Sequence, residues 1–378
     1  LNNQGHPSLY IGTLGVYFNQ EKSDKIFSTK TTPDIFELFT ILNFFGFGRT
    51  PYMDGFEVPV NICIEISSHA LDQGRLNDID WFNATSILNI SSDHLDYHKK
   101  ISAYRDAKFE IFKNKSLVKL LDDKSYKFHH KYDFIVNDEN KILVISKDNN
   151  FSDIYYEIKE ISIKETTFEI SINKPSKEYN FKERKKFKFC CNVFPDFNVH
   201  NLVFAICSIG FGGFLENKIN DLNYLRLPKG RAEIIRDIPS NIIIDYAHNH
   251  EAVRLFLSSI KNQYDNLIVI IGCGGGRDKS KRSKMLSAAI RDSSKVIFTS
   301  DNSRSEDFED IFKDAVKNNN IENVVKIKDR KQAIIFGTKE ISNNDCLVIL
   351  GKGHEETQEE NNQISYFSDH EVVNEIYN

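Results

Sequence analysis

Short apolar runs alternate with helix-like segments through both halves of the chain. Within residues 1–112, the run Asn61–Ile66 is followed by a polar turn and then a helical pattern, which is typical of β-α-β units. From about residue 115 to 190, polar and apolar residues alternate over short stretches such as Phe168–Ile172. Such alternation favours strands with one solvent-facing side. We therefore predict an antiparallel β extension in this region.

A second α/β series follows a predicted linker. A helical pattern covers Asn201–Gly210, and the Pro and Gly of Leu227–Arg231 are typical of a linker. The apolar runs after it predict parallel strands with helical crossovers. These runs are Asn241–Ile244, Leu267–Ile271, Val296–Thr299 and Cys346–Leu350. We predict an α/β protein with a central parallel-sheet domain (1–226), which includes the antiparallel extension, and a Rossmann-like domain (227–378).

Each of these four runs leads into a polar, often glycine-rich cluster. The clusters are Asp245–His248, Gly272–Asp278, Asp301–Arg304 and Gly351–Glu355. In open α/β sheets, ligands bind at the carboxyl ends of the strands. We therefore expect the four clusters to lie along one edge of the sheet and to form a binding site.

Composition narrows the class of protein. The chain has 378 residues, of which 40% are hydrophobic and 27% charged, with a net charge of -5. The length predicts two domains, and the mild acidic balance gives no reason to expect nucleic acid or an anionic membrane as a partner. No stretch approaches the roughly 20 apolar residues of a membrane span, so we predict a soluble protein. The six cysteines include no C-x-x-C pair, which predicts reduced thiols and a cytosolic protein.

Two clusters in the first half contain candidate site residues. Glu65–Leu71, followed by Gln73 and Arg75, offers a carboxylate, hydroxyls, an imidazole and a guanidinium at a strand end, which suits Mg²⁺ and an anionic ligand. An equally valid interpretation is a strand-to-helix turn capped by Ser67.

The second cluster is Asn89–His98, followed by a helical pattern over Ala103–Phe112 that brings Lys108 back toward His94. Taken singly, such a histidine is more often structural and such a lysine more often a surface charge.

In order and spacing, these motifs resemble those of the Mur ligases over nearly the whole chain. The resemblance rests on Glu65–Arg75, Asp93–His98, Lys108, Gly230–Arg231, Asp245–His248, Gly272–Arg282, Asp301–Arg304 and Gly351–Glu355. Each motif is weak alone, whereas the ordered set is specific. Within the family, the chain looks most like the members that add meso-diaminopimelate to a UDP-muramoyl-dipeptide during synthesis of cell-wall peptidoglycan.

The resemblance implies roles for residues of the first half. The positions that bind UDP-muramoyl-dipeptide in the family match Thr31, Thr32, Ser67, Gln73 and Arg75. Glu65 and His94 match the positions that hold Mg²⁺, and Lys108 matches a lysine that is carbamylated in the family. These three are the predicted catalytic residues. A carbamate is anionic, so it binds a cation that an ammonium would repel.

The resemblance also implies roles for residues of the second half. The positions that bind the incoming amino acid match Arg277, Asp301, Asn302, Ser303, Arg304, Gly351 and Glu355. Two guanidiniums and two acids suit diaminopimelate, because it has an amino-carboxylate at each end. Lysine lacks the distal carboxylate that Arg304 would bind. The predicted nucleotide-binding residues are Arg231, Asp245 and His248.

The implied reaction uses ATP and Mg²⁺ and needs no covalent enzyme nucleophile. ATP activates the D-glutamate carboxylate of the dipeptide as an acyl phosphate, which the amine of the diamino acid then attacks. The resemblance implies a cytoplasmic monomer whose partners are these small molecules.

One motif of the family is not found. Its Gly-Thr-x-Gly-Lys-Thr phosphate loop should lie just ahead of Ile11–Gly15, and the small uridine-binding domain should precede that. The first residue is Leu1, which suggests a fragment or a processed product. Because that loop cradles the β- and γ-phosphates, we expect the chain as given not to form peptide bonds at a useful rate, and the full-length protein to do so.

Three other functions compete with this interpretation. A pseudo-ligase would bind the nucleotide-sugar without catalysis, but the charged residues of both sites argue against it. A folylpolyglutamate synthase-like ligase would not need Asp301–Arg304. A dinucleotide-binding oxidoreductase would need G-x-G-x-x-G, which the glycines of Gly272–Gly276 do not match.

Overall fold

The computed structural model describes residues 7–23, 25, 27, 30–45, 61–77, 79, 81–90, 94–136, 142–150, 152–173, 184–210, 221–235, 238–276 and 278–378. The strands are β1 Ser8–Gly12, β2 Gly15–Phe18, β3 Glu21–Lys22, β4 Asn61–Ile64, β5 Trp81–Ile87, β6 Lys115–Asp122, β7 Ile142–Ser146, β8 Ile154–Ile161, β9 Thr166–Ile172, β10 Lys185–Cys191, β11 Asp221–Leu222, β12 Glu233–Ile234, β13 Asn241–Asp245, β14 Leu267–Ile271, β15 Lys295–Phe298, β16 Val324–Lys326, β17 Cys346–Leu350, β18 Thr357–Glu360 and β19 Gln363–Tyr366.

The α-helices are α1 Ile35–Phe44, α2 Ser68–Asp72, α3 Leu95–His98, α4 Ile101–Phe109, α5 Asp123–Tyr126, α6 Asp133–Val136, α7 Asp196–Ile209, α8 His250–Ile260, α9 Ser280–Arg291, α10 Phe308–Val316, α11 Arg330–Glu340 and α12 Asp369–Tyr377. Short 3₁₀ turns follow α4, α5 and α8.

The chain forms two compact units. The first consists of Leu1–Tyr155, Asn173–Glu183 and Ile206–Phe214, and the second of Tyr156–Ile172, Arg184–Ala205 and Leu215–Asn378.

The first unit begins with a four-stranded sheet in the order β3-β2-β1-β4. β1 and β2 form an antiparallel hairpin, whereas β1 and β4 are parallel and α1 lies between them in the chain. Asp34 caps α1 by accepting a hydrogen bond from the N–H of Glu37 at 2.9 Å. The predicted β-α-β arrangement is therefore confirmed, and it places Glu65 immediately after β4.

A seven-stranded sheet follows, in the order β11-β10-β9-β8-β7-β6-β5. The antiparallel extension predicted from about residue 115 is wrong for β6 and β7, because both pair in parallel with their neighbours. Every residue of β7 is buried, and burial on both faces is typical of parallel strands. The antiparallel prediction is confirmed for β9 and β10, where Lys186 of β10 pairs with Glu169 at 2.6 Å.

The second unit contains a six-stranded sheet in the order β12-β13-β17-β14-β15-β16. β12 is antiparallel to β13, and the other neighbours are parallel. Two apolar layers contact this sheet, one that includes Val269 and Val348 and another that includes Ile270 and Leu347. Since β13, β14, β15 and β17 are parallel, the clusters that follow them lie at one edge of the sheet, as predicted.

Among the described residues, no helix combines the length and apolar character needed to cross a membrane. All six cysteines have free thiols, as predicted.

Candidate active site

Glu65 is anchored through one carboxylate oxygen. Its Oε2 accepts hydrogen bonds from the hydroxyl of Tyr10 at 3.0 Å and from the backbone N–H of Thr13 at 2.9 Å. Burial and the adjacent Glu65 carboxylate raise the pKa of Tyr10, which keeps this phenol a donor. Within the part of the chain that the structure describes, Oε1 of Glu65 has no hydrogen-bond partner. Glu65 is thus held in place while one oxygen is left for a ligand.

Thr32 organises the residues around it and is fully buried. Its Oγ1 donates to the carbonyl oxygen of Glu65 at 2.9 Å and accepts from the N–H of Ser67 at 2.8 Å. Ser67 also caps α2, because its Oγ accepts a hydrogen bond from the N–H of Ala70 at 3.2 Å. The capping role that the sequence suggests for Ser67 is therefore confirmed.

Arg75 joins the same network. Its Nη1 donates to the carbonyl oxygen of Thr32 at 2.8 Å, and its Nε and Nη2 donate to Oε1 of Gln73 at 2.9 and 2.6 Å. The hydroxyls of Thr31 and Thr13 are 2.9 Å apart. The five residues predicted to bind the dipeptide thus lie together, close to Glu65.

A cluster of aromatic and imidazole rings lies beside α2. The ring centre of His69 is 4.2 Å from that of Tyr97, 4.8 Å from that of His94 and 5.5 Å from that of His98. His98 is buried, and its Nε2 lies 3.0 Å from Oγ of Ser68. His94 is exposed and has a left-handed backbone with φ of 51°. His98 is therefore structural, whereas His94 presents its ring at the surface.

Tyr104 is a neighbour of both His94 and Lys108. The ring centre of Tyr104 is 6.4 Å from that of His94, and Nζ of Lys108 lies 5.2 Å from the Tyr104 ring centre. α4 holds Tyr104 and Lys108 four residues apart, on one face of the helix. That the helix returns Lys108 toward His94 stays a prediction, with which the common neighbour Tyr104 agrees.

The resemblance implies Mg²⁺, and the donors around Glu65 suit it. Mg²⁺ prefers oxygen ligands and is usually held by one or two carboxylates together with substrate phosphates and water. Glu65 has an oxygen available for such a role. No group of three or more His, Cys, Asp or Glu side chains in the described ranges is arranged to enclose a metal ion. A cation at this place would therefore depend on ligands that the substrates provide.

In the second unit, Lys352 is the centre of a charged cluster at the edge of the six-stranded sheet. Its side chain is fully buried, and Nζ lies 2.7 Å from the carbonyl oxygen of Thr357 and 3.1 Å from Oδ1 of Asn302. Nζ is also 3.6 Å from Oδ1 of Asp301 and 3.8 Å from Oε2 of Glu355. Because Oδ1 of Asn302 faces Lys352, its Nδ2 donates to Oε2 of Glu355 at 3.1 Å.

Asp301 is largely enclosed by this cluster. Burial alone would raise the pKa of Asp301, but the charges of Lys352 and Arg330 hold it below its ordinary value. Its Oδ1 also accepts a hydrogen bond from the N–H of Asn302 at 2.7 Å. Gly351 has φ of 109°, and a Cβ there would lie 3.1 Å from Oδ2 of Asp301. Only glycine therefore combines this backbone conformation with the close approach.

Arg304 lies at the outer side of the cluster. Its backbone is left-handed, with φ of 53°, and Nη1 donates to the carbonyl oxygens of Gly275 and Asn302 at 2.7 and 3.3 Å. Nε of Arg304 is 3.3 Å from Oε2 of Glu359 in β18. The N–H of Arg304 also donates to the carbonyl oxygen of Glu359 at 3.0 Å, so the β18–β19 hairpin is joined to this segment.

A buried ion pair holds the glycine loop in place. Arg282 binds both carboxylate oxygens of Glu306, at 2.9 and 3.0 Å, and also Asp314 at 2.8 Å. Oε1 of Glu306 accepts a hydrogen bond from the N–H of Gly276 at 2.6 Å. The hydrogen bonds from Arg282 and Gly276 lower the pKa of Glu306 to about 2. The loop is thereby fixed next to Arg304.

A second buried ion pair lies below the same edge. Nε and Nη2 of Arg330 each donate to a carboxylate oxygen of Asp369 at 2.7 Å, and both side chains are completely buried. Nη2 of Arg330 also donates to the carbonyl oxygen of Leu350, the last residue of β17, at 3.0 Å. This pair therefore supports the strand end from which Gly351 and Lys352 follow.

The predicted nucleotide-binding residues surround Tyr246. The guanidinium carbon of Arg231 lies 4.6 Å from the ring centre of Tyr246, and Nδ1 of His248 donates to the carbonyl oxygen of Tyr246 at 2.9 Å. Both oxygens of Asp245 accept hydrogen bonds from backbone N–H groups, those of Ala232 and Ala247, each at 2.7 Å. Burial raises the pKa of Asp245 despite these bonds. Asp245 thus holds the two turns that carry Arg231 and His248.

Gly230 makes a close backbone contact ahead of these turns. It has φ of 68°, and a Cβ there would lie 2.2 Å from the carbonyl carbon of Gly353.

Most of the second-unit residues predicted from the sequence therefore adjoin one another. Arg277 lies outside the described residues. Ser303 is buried, and its carbonyl oxygen accepts from the N–H of Glu306 at 3.0 Å. Sequence reasoning missed Tyr104, Lys352, Glu359 and the pair Arg330–Asp369. A local sequence pattern could have indicated Lys352, since it stands between two glycines directly after a buried strand. No such pattern surrounds the other four residues.

The chain is similar to known proteins over nearly its whole length. The profile of the Mur ligase middle domain matches residues 50–209, and that of the Mur ligase glutamate ligase domain matches residues 230–353. The chain is 33% identical to the UDP-N-acetylmuramoyl-L-alanyl-D-glutamate--2,6-diaminopimelate ligase of Wigglesworthia glossinidia brevipalpis, over 97% of this chain and 71% of the relative. It is 32% identical to the ligase of the same name from Clostridium perfringens, over 100% of this chain and 74% of the relative.

Solved structures agree with this comparison. A structure titled as a UDP-N-acetylmuramoyl-L-alanyl-D-glutamate--2,6-diaminopimelate ligase matches with a TM-score of 0.60 and 29% identity, over 99% of this chain and 73% of that one. A folylpolyglutamate synthase from Thermotoga maritima matches with a TM-score of 0.62 but only 16% identity, over 93% of this chain and 80% of that one, which shows a common fold alone. The predicted family and fold class are confirmed, and the chain belongs to the Mur ligase family.

Proposed function

We propose that the residues of this chain serve the ATP-dependent ligation of 2,6-diaminopimelate to UDP-N-acetylmuramoyl-L-alanyl-D-glutamate. The observation that carries the proposal is the cluster of Asn302, Arg304 and Glu355 at the edge of the six-stranded sheet. It offers a guanidinium and carboxylates within one hydrogen-bonded group. Relatives at 32–33% identity that bear this activity in their names support the assignment.

The first unit would bind the acceptor. Arg75 is partly exposed and donates to the carbonyl oxygen of Thr32, and guanidinium groups are suited to phosphate and carboxylate oxygens. Gln73 and Thr32 orient Arg75 through the hydrogen bonds already described. These residues would fix the position of the dipeptide before the reaction, which lowers the entropic cost of bringing the reactants together.

Glu65, His94 and Lys108 would serve the activation step. Mg²⁺, when bound, neutralises the charge of the transferred phosphoryl group. Glu65 would hold this ion with its available oxygen, together with His94. Lys108, as a carbamate, would add an anionic oxygen beside His94. The carbamate forms when the neutral amine of Lys108 attacks CO₂ and releases one proton.

The second unit would deliver the amine. The D-glutamate carboxylate takes the γ-phosphoryl group of ATP and releases ADP, and the amine then attacks the acyl carbon and displaces phosphate. Arg277, Asp301, Ser303 and Gly351 complete the proposed amino-acid site. Arg231 and His248, with Asp245 behind them, would contact the nucleotide. Chemistry of this kind depends mainly on positioning and electrostatics.

We also propose a domain boundary after residue 226, a monomer and a cytoplasmic location. The two profile matches lie on either side of this boundary. The compact units instead divide the chain within β8 and α7.

The test uses the complete gene product with ATP, Mg²⁺ and UDP-N-acetylmuramoyl-L-alanyl-D-glutamate. We expect ADP release and a product of the tripeptide mass with meso-diaminopimelate, and at least a tenfold lower kcat/KM with L-lysine, because a lost charge-assisted bond is worth about one such factor. Arg304→Gln should reduce this preference. Arg226→Gln is the matched control, since Arg226 is exposed and, within the described part of the chain, bonds only the carbonyl oxygens of Asn223 and Leu225.

Equal use of both amino acids, or ADP release that does not depend on the muramoyl-dipeptide, would contradict the proposed function.

A further inference from the structure

Two polar atoms next to each other are left for a ligand beside Arg304. Its Nε and Nη1 are engaged, but among the residues that the structure describes Nη2 has no hydrogen-bond partner. Glu359 uses Oε2 for Arg304, and in the same described ranges its Oε1 has no partner either. The side chains of Arg304 and Glu359 are 28% and 32% exposed. A donor and an acceptor of opposite charge thus face solvent side by side.

Such a pair is complementary to an amino-carboxylate. The guanidinium binds a carboxylate and the Glu359 carboxylate binds an ammonium group, as in any charge-assisted hydrogen bond. We propose that Glu359 is a specificity-determining residue that binds the distal ammonium group of the diamino acid, while Arg304 binds the distal carboxylate; this presupposes the ligase activity proposed above.

Asp301 is poorly placed for the same task. Its side chain is 12% exposed, and Lys352, the N–H of Asn302 and the backbone of Gly351 surround its carboxylate. An ammonium ligand would have to displace a fully buried lysine, which leaves an uncompensated charge in the interior. Glu359 can accept a ligand without breaking any buried contact. Glu359 is therefore the better placed of these two carboxylates to bind the distal ammonium group, while Asp301 supports the site from within.

The backbone fixes Glu359 at this place. Its N–H donates to Oδ1 of Asn302 at 3.0 Å, and its carbonyl oxygen accepts from the N–H of Arg304. The N–H of Asn362, beyond β18, donates to the carbonyl oxygen of Arg304 at 3.3 Å. The backbone of Glu359 is thus tied on both sides to the segment that carries Asn302 and Arg304, which keeps its Cα within reach of the guanidinium.

The test compares meso-diaminopimelate with 2-aminopimelate, which keeps the distal carboxylate but lacks the distal amine. The wild-type protein should prefer diaminopimelate in kcat/KM by about tenfold or more, because the bond to a charged group is lost with 2-aminopimelate. In Glu359→Gln this preference should fall to nearly one. The loss should come from diaminopimelate, with 2-aminopimelate little affected.

Glu360→Gln is the matched control. Glu360 is the next residue of the same strand, so its side chain points to the other face, where it pairs with Lys328 at 2.9 Å. This variant should keep the wild-type preference. Glu359→Asp retains the charge on a shorter side chain and should keep part of the preference. It provides the test if Glu359→Gln folds poorly.

Two results would overturn the proposal. If Glu359→Gln raises kcat/KM for both compounds equally, Glu359 only competes with the ligand for Arg304. If it lowers both equally, Glu359 has only a structural role. If the wild-type protein turns over no diamino acid, the ligase activity is disproved separately, and calorimetric binding of the same two compounds to the same three variants still measures the preference.

Discussion

The candidate functional residues of the two units are organised by different kinds of interaction. Around Glu65, the first unit uses neutral hydroxyl groups, backbone N–H groups and stacked rings, and its charged groups are exposed or partly exposed. At the edge of the six-stranded sheet, the second unit uses charged side chains that are mostly buried. Arg330, Asp369 and Lys352 are completely buried, and Arg282 is nearly so beside the partly exposed Glu306. In the first unit the charged side chains around Glu65 are therefore accessible to ligands. In the second unit several charged side chains instead stabilise the fold through buried ion pairs.

This contrast predicts that charge-neutralising substitutions should destabilise the second unit much more than substitutions of comparable size destabilise the first. The largest expected effect comes from Asp369→Asn. It leaves the buried guanidinium of Arg330 without its counter-ion, which typically costs about 3–5 kcal/mol in the free energy of unfolding. Urea unfolding measures the loss.

The control is Glu375→Gln, because Glu375 pairs with Lys331 at 2.5 Å on the surface, with side chains 59% and 48% exposed. It should change stability by less than about 1 kcal/mol. Similar losses for both variants would show that burial of the Arg330–Asp369 pair has no special weight.

Glu306→Gln should have the next largest effect, about 2 kcal/mol near neutral pH, because hydrogen bonds to charged groups contribute about 1.5–3 kcal/mol. The pKa of Glu306 is lowered from 4.5 to about 2, so its stabilising contribution is present above pH 4.5 and is lost as the pH falls toward 2. Stability measured across this range should therefore show the wild-type and variant proteins converging in acid.

For Glu306, the comparison residue is Glu309, which pairs with the exposed Lys326. Glu309→Gln should leave the acid limb of the stability curve unchanged. A difference between wild type and Glu306→Gln that persists at pH 2 would mean that the ion pair with Arg282 is not its cause.

In the first unit, Thr32→Val should cost about 1–2 kcal/mol, because a methyl group replaces the hydroxyl that accepts from the partly buried N–H of Ser67. Thr32→Ser keeps the hydroxyl and should recover most of this loss. Thermal unfolding of the three proteins compares them, and a serine variant as unstable as the valine variant would point to packing instead of the hydrogen bond.

The smallest effect is expected for Tyr97→Phe. Its hydroxyl donates to Oδ2 of Asp72 at 2.7 Å at an exposed position, while the ring remains on His69. A loss of about 0.5 kcal/mol, at the lower end for a hydrogen bond, is expected in denaturant unfolding. A loss above about 2 kcal/mol would contradict the expectation that exposed contacts of the first unit stabilise the fold less than the buried ion pairs of the second.

The same distinction explains what could be predicted from the sequence. β14 and β17 were predicted residue for residue, because an unbroken apolar run with polar clusters on both sides has one economical arrangement in a parallel sheet. The pairing of β6 and β7 was predicted wrongly. The lysines and aspartates around these strands suggest one solvent-exposed face, but most residues of both strands are buried. The polar and apolar pattern of one strand does not show whether elements distant in sequence cover its faces.

Site residues divide in a similar way. Motifs such as Asp301–Arg304 are contiguous, so their grouping could be predicted from where the strands end. The partner of Arg330 is 39 residues away and has no periodic or local signal, and Glu359 belongs to a hairpin that only the fold brings to Arg304. Buried ion pairs of this kind depend on tertiary packing, which a linear pattern does not contain.

The contact between Gly230 and Gly353 has a mechanical consequence. Because a Cβ on Gly230 would fall 2.2 Å from the carbonyl carbon of Gly353, the two main chains touch without any side chain as a cushion. A shift of the Gly230 backbone toward Gly353 would therefore displace the loop that leads to Glu355. Any side chain added at Gly230, where the chain enters the second unit, would therefore collide with the backbone of Gly353 and push the two segments apart.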